Sequence, residues 1–168
     1  MLTIYIILFL SYLICDSVYR MVKSMLYAGK IRGLLERVNT KEQLLRTGEK
    51  DILNMLALMF RKMGYKVEKT DLCGECLNGL ILNDVIFVEL WKNAPGHLIE
   101  IETAIKLAYC MRRASVYRGM LVTLGDFKRN TRLFCHKYVI QCVNGDQLVE
   151  MLREVQAPTL PLKINQPG

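Results

Sequence analysis

Cys73-Gly74-Glu75-Cys76 is the first place in this chain where reactive side chains stand at a familiar spacing. Two thiols separated by two residues make half of a tetrahedral zinc site, and Cys135-His136 would offer two further ligands of the right type. One such pair without a second at matching distance does not specify zinc, and a loop between strands is a poor setting for a redox dithiol. A second grouping is cationic. Arg112, Arg113 and Arg118 flank a helix-to-strand junction, Lys128, Arg129, Arg132 and Lys137 crowd the next helix, and Lys92 ends a strand. Together they could neutralise several phosphates or form a solvated basic face. The third grouping is the run Val85-Ile86-Phe87-Val88-Glu89-Leu90-Trp91-Lys92. Side chains alternate along a strand, so Lys92 points away from the side that Glu89 occupies. Taken alone, Glu89 is a solvated or salt-bridged strand residue, and Glu49 a favourable first-turn acid on a helix dipole. Neither a Ser-His-Asp arrangement nor a phosphate-cradling glycine loop occurs.

The elements that must position these residues follow from periodicity. Glu49 to Met63 places Ile52, Leu53, Leu56, Ala57, Phe60 and Met63 on one broad apolar face, and Gly64 supplies a stop. Tyr65 to Thr70, Gly79 to Leu82 and Val85 to Trp91 have the texture of strands, the last two joined by a tight turn at Asn83-Asp84. Leu98 to Ala114 is a helix, Gly119 to Leu124 a strand apolar enough for burial on both faces, Phe127 to Lys137 a helix, Tyr138 to Val143 a strand, and Asp146 to Val155 a helix entered through Asn144-Gly145. This order predicts an α/β fold, a mixed sheet flanked by helices on both faces. Ala157 to Gly168, with three prolines, is a loose tail.

The chain has 168 residues, 52% of them hydrophobic, and a mean hydropathy of +0.19. The excess lies at the N-terminus, where no charge appears before Asp16. Fifteen helical residues reach only about 22 Å, so a span of the ~30 Å hydrocarbon core must continue through Val18, Tyr19, Met21 and Val22. The expectation is a single transmembrane anchor at 1–22, a juxtamembrane helical linker at 23–46 with a Thr40/Gln43 capping box, a folded domain at 47–155 and a flexible tail at 156–168. Arg20, Lys23, Lys30, Arg32 and Arg37 follow the apolar stretch, which by the positive-inside rule places the C-terminal domain in the cytoplasm. Thiols rather than disulfides are then expected, with Cys110 and Cys142 in the core. A net charge of +7 suits nucleic acid or an anionic membrane surface.

Certain words recur in this succession: Thr47-Gly48-Glu49 opening the first domain helix, Met63-Gly64-Tyr65-Lys66-Val67 leading into a strand, Leu121-Val122-Thr123 followed by Phe127, and Val143-Asn144-Gly145-Asp146-Gln147-Leu148. In this order they resemble the Mrr-like branch of the restriction-endonuclease fold, within the PD-(D/E)XK nuclease superfamily, over roughly Thr47 to Leu152. That resemblance implies DNA as partner and, in an intact member such as a type IV restriction endonuclease, Mg²⁺ held by carboxylates beside a lysine. Glu49 matches the helix acid and Glu89 the strand acid and metal ligand. Gly79 stands where the second-strand aspartate is required, and Trp91 where the lysine is required. Asp71, Glu75 and Lys92 could restore the site only by migrating into it.

Three readings follow. The first is a membrane-tethered domain that binds DNA through Lys92, Arg112, Arg113, Arg118, Lys128, Arg129 and Arg132, with cleavage lost or reduced. The second is an active Mg²⁺-dependent endonuclease using migrated residues with Glu49, Glu89 and Lys92. The third is a protein-interaction module of a membrane assembly, with Trp91 as an exposed anchor residue.

Overall fold

The alternation of apolar residues along the central strands sends them into two separate cores, and the architecture follows from that. The computed structural model describes residues 2–70, 79–93 and 96–157, residues 2–8 as backbone only. Its helices are α1 (Leu2–Arg37), α2 (Lys41–Arg46), α3 (Glu49–Lys62), α4 (Ile101–Arg113), α5 (Arg129–Lys137) and α6 (Gly145–Gln156). The main sheet comprises β1 (Val67–Thr70), β2 (Gly79–Leu82), β3 (Ile86–Trp91), β5 (Arg118–Thr123) and β7 (Ile140–Val143), in the order β1-β2-β3-β5-β7. The first three strands are antiparallel; β3, β5 and β7 run parallel, as helical crossovers require.

On β3, Val88 and Leu90 join the core built with α1, α3 and α6, while Phe87 joins the core under α4 and α5. Met120 and Val122 against Leu121 repeat the division on β5. The two-residue β2–β3 turn carries positive φ at both Asn83 (51°) and Asp84 (59°), the geometry of a type I′ turn. Asn83 also accepts the Lys66 amide through Oδ1 at 2.7 Å, tying the turn to the strand before it.

Two short strands escaped the periodicity. Leu98–Ile99 (β4) and Asp126–Phe127 (β6) pair in parallel as a second small sheet, where helix had been expected from Leu98 and from Phe127. The connector helix begins at Thr40, whose Oγ1 accepts the Gln43 amide, but the Gln43 side chain caps the Asn39 amide instead of that of Thr40. The full reciprocal box lies at the start of α6, between Asn144 and Gln147. Cys110, expected as a free core thiol, is buried and disulfide-bonded.

The transmembrane anchor expected at 1–22 does not emerge. Helix α1 runs unbroken through Gly29 and Gly33, and among the described residues no helix is long and apolar enough to cross a membrane. Asp16 and Arg20 fall within the stretch a span would need, Lys23 directly follows it, and Arg20 pairs with Asp16 at 2.6 Å one turn away. The end of α1 belongs to the domain. Ile31, Leu35 and the following Val38 are buried in the α3/α6 core, and Tyr27 and Lys30 both donate to Asp51 of α3, at 2.7 and 2.6 Å. The Lys30 ammonium, with Tyr27 behind it, holds the Asp51 carboxyl below the usual range. Phe9 to Leu26 carries eleven exposed large apolar side chains that nothing among the described residues covers.

Leu35 is fully buried, so Leu35→Ala should lower the unfolding free energy in urea by about 2–5 kcal/mol. Leu26, 72% exposed on the same helix, should change it by less than about 0.5 kcal/mol on replacement by alanine. Equal losses at the two positions would mean that the outer part of α1 is also packed in solution.

Candidate functional site

Glu89 is 5% exposed on the α4 side of β3, and its Oε2 meets no hydrogen-bond partner among the described residues. Burial pushes its carboxyl up to about 7, and the positive charge of Lys106 pulls it back. A cavity of about 480 Å³ opens at the C-terminal end of β3, lined by Glu49, Glu89, Trp91, Lys92 and Lys106. Glu49 comes from the first turn of α3, where it also faces the positive end of the helix dipole. The candidate acids Glu49 and Glu89 and the candidate lysine Lys92 thus line one cavity.

Lys92 leaves the sheet on the face opposite Glu89, and its ammonium donates to the Thr47 carbonyl at 2.6 Å, at the entry to α3. Trp91 lies at the rim, 37% exposed. The ammonium that acts on Glu89 through space is Lys106, from α4. Sequence reasoning passed over it because a lysine in an amphipathic helix looks like any solvated residue, and only the docking of α4 on β3 brings it to the cavity.

Gly79 stands where the resemblance calls for a second ligand. The β2–β3 register pairs Leu80 with Val88, so one step further Gly79 stands opposite Glu89, and on its other side it pairs with Thr70. A Cβ built on Gly79 would fall 2.4 Å from Cζ of Phe87, 2.6 Å from its Cε1 and 3.0 Å from Oγ1 of Thr70. The Phe87 ring, itself buried, fills the volume that an aspartate at this position would need. The aspartate is therefore absent and its place is taken.

The described residues do not by themselves make up the Mg²⁺ site that the resemblance implies. Among the described residues no group of three His, Cys, Asp or Glu side chains could hold a metal ion, and Mg²⁺ requires several hard oxygen ligands in octahedral order. The zinc reading loses half its ligands in a similar way. Cys135 faces the core, hydrogen-bonded to Cys142, and burial and that bond push its thiol up, while the neighbouring His136 is exposed. Asp71, Cys73, Glu75 and Cys76 lie outside the described residues.

The seven expected DNA contacts do not form one surface. Lys92, Lys128, Arg129 and Arg132 lie at the end of the sheet where β3 and β5 finish, near the cavity. Lys128 is paired with Glu100 at 2.5 Å and Arg132 with Asp126, so part of that charge is already satisfied. Arg112 and Arg113 end α4 and Arg118 begins β5, about 16 Å away at ~3.3 Å per strand residue.

The DNA modification-dependent restriction endonuclease AspBHI matches over 75% of this chain and 35% of its own, at 12% identity and a TM-score of 0.52. The fold is restriction-endonuclease-like. A structure of the MspJI restriction endonuclease in complex with a 27-mer oligonucleotide also matches, at 17% identity and a TM-score of 0.42, over 78% of this chain and 32% of that one. The chain thus spans about a third of either enzyme. No family model and no curated protein matches it.

Two outcomes test this geometry. Gly79→Asp should destabilise the domain by about 1–3 kcal/mol through overpacking against Phe87, and adding Phe87→Ala should recover part of that loss in urea denaturation. Additive losses would mean that the ring does not occupy the site. Glu89 has a folded pKa above its unfolded one, so stability present at low pH is lost as pH rises from about 4.5 through about 7. The loss is on the order of 3 kcal/mol, and Glu89→Gln should abolish it. Denaturation of both proteins at about pH 5 and about pH 8 measures the difference, and a wild type no more pH-sensitive than the variant would refute the buried carboxyl.

Proposed function

We propose that this domain binds duplex DNA along the edge where β3 and β5 end, with cleavage lost or much reduced, and that it belongs with the Mrr-like nucleases. The observation that carries this reading is the Phe87 ring in the place of a metal-binding aspartate, opposite Glu89. Binding is supported by what remains at that edge. Helices α3 to α6 all begin there, offering the positive ends of their dipoles to phosphates, and Lys92, Lys106 and Arg129 stand among them. Mg²⁺ belongs only to the alternative in which the domain is an active endonuclease.

Incubation with duplex DNA and Mg²⁺ or Mn²⁺ should give retardation without cutting. Lys106→Ala should weaken retention to a similar degree on any sequence, as loss of a phosphate contact does. Metal-dependent cleavage abolished by Glu89→Ala would overturn the reading in favour of an active endonuclease completed by Asp71 or Glu75.

Trp91 favours a second reading, because a part-exposed tryptophan on a cavity rim is the kind of residue that anchors a protein partner. Absence of DNA binding at low salt would favour it. Attachment to a membrane, with the domain on the cytoplasmic side, rests on the exposed apolar residues of α1 and the basic ones that follow. Complete release by alkaline carbonate would exclude an integral anchor.

A further inference from the structure

The end of the domain opposite the Glu89 cavity carries chemistry that the proposed function does not use. Residues 109–118 and 133–141 contain Arg112, Arg113, Arg118, His136 and Lys137, three tyrosines and no aspartate or glutamate. The topology brings these two segments together, because α4 and α5 both end where β5 and β7 begin. Ser115, at φ 56°, turns the chain out of α4 and leaves Tyr117 standing 85% exposed. A groove of about 320 Å³ runs between Tyr117 and Tyr138, with Met111 and Val116 among its apolar lining and Arg112 and Ser115 supplying polar groups. Tyr138 is held in place by stacking on Phe134, with centroids 4.3 Å apart, and the Lys137 ammonium lies 5.6 Å from its ring. Two acids at this end of the sheet, Glu68 and Asp84, lie on β1 and the β2–β3 turn, and both are bound by Lys66.

We propose that this groove is a second binding surface, for unpaired nucleotides of single-stranded nucleic acid, in which a base lies against the faces of Tyr117 and Tyr138 while Arg112, Arg118 and Lys137 meet the backbone. Three features favour this occupant. Every base offers a π-face to an aromatic platform, whereas a duplex hides its bases in the stack and would meet Tyr117 only at its backbone. A groove of this size accepts a planar ring but not a helix, and the tyrosine–arginine alternation without acids matches a phosphate-bearing chain. Separation from the Glu89 cavity lets both surfaces be occupied together.

The test uses the full chain and labelled oligo(dT) of about 12 nucleotides, followed by anisotropy at low salt beside a blunt duplex. The wild type should bind oligo(dT), Tyr117→Ala should weaken it roughly tenfold, and Tyr117→Phe should keep it within about twofold. Arg112→Ala with Arg118→Ala should flatten the dependence of log K on log salt by about 0.7 per lost phosphate contact. Lys106→Ala should leave oligo(dT) binding unchanged while weakening the duplex, which separates this surface from the cavity. Wild-type affinity in Tyr117→Ala, no binding of oligo(dT) by the wild type, or capture by this patch of phosphatidylserine vesicles but not oligo(dT) would each overturn the proposal.

Discussion

One contact inside the sheet decides what the cavity can be: the edge of the Phe87 ring against the backbone of Gly79. It exists because β3 alternates, sending Val88 and Leu90 to one core and Phe87 and Glu89 to the other. Phe87 and Glu89 share a face, and Gly79 stands across from Glu89. An interior packed like an organic crystal has no spare volume, so either a ring or a carboxylate can occupy that point, but not both. The residue that completes the core under α4 is the same residue that leaves no room for a carboxylate at position 79.

Much of this was legible in the chain. The mixed sheet with helices on both faces, β2 at 79–82 and the Asn83-Asp84 turn all followed from alternation and turn chemistry, since each is set by residues a few positions apart. The small β4/β6 sheet was not legible, because Leu98-Ile99 and Asp126-Phe127 are two-residue strands that acquire meaning only when brought together. For the site, Gly79 and Trp91 could be flagged as replacements in a pattern, but that Phe87 fills the gap depends on a register across two strands. Lys106 was hidden for a similar reason, since helix periodicity marks its exposure and not what it faces. At the N-terminus, local hydropathy favoured a membrane span, whereas the charged turn Asp16 to Lys23 and the docking of Ile31 and Leu35 make α1 partly a component of the domain.

The two ends of the sheet differ in kind because the crossovers are parallel. The parallel strands put the starts of α4, α5 and α6 at one edge and the ends of α4 and α5 at the other. The edge with the helix starts combines dipole ends with cations that are partly satisfied by Glu100 and Asp126. The edge with the helix ends carries arginines that follow the usual preference for basic residues in a last turn, and its exposed tyrosines go beyond that preference. A basic composition therefore conceals two unlike surfaces, and the single set of DNA contacts expected from the sequence divides between them.

The burial of Glu89 bears on how such a cavity could hold DNA at all. A nuclease site with two or three ionised carboxylates repels phosphate until a divalent cation neutralises it. Here a ring fills the space that a carboxylate at position 79 would need, and burial raises the Glu89 carboxyl to about 7. Lys92 and Lys106 line the same cavity, together with the exposed Glu49. In the proposed reading, the same two features lower the barrier to phosphate, so that affinity for DNA would not depend on a metal being bound first.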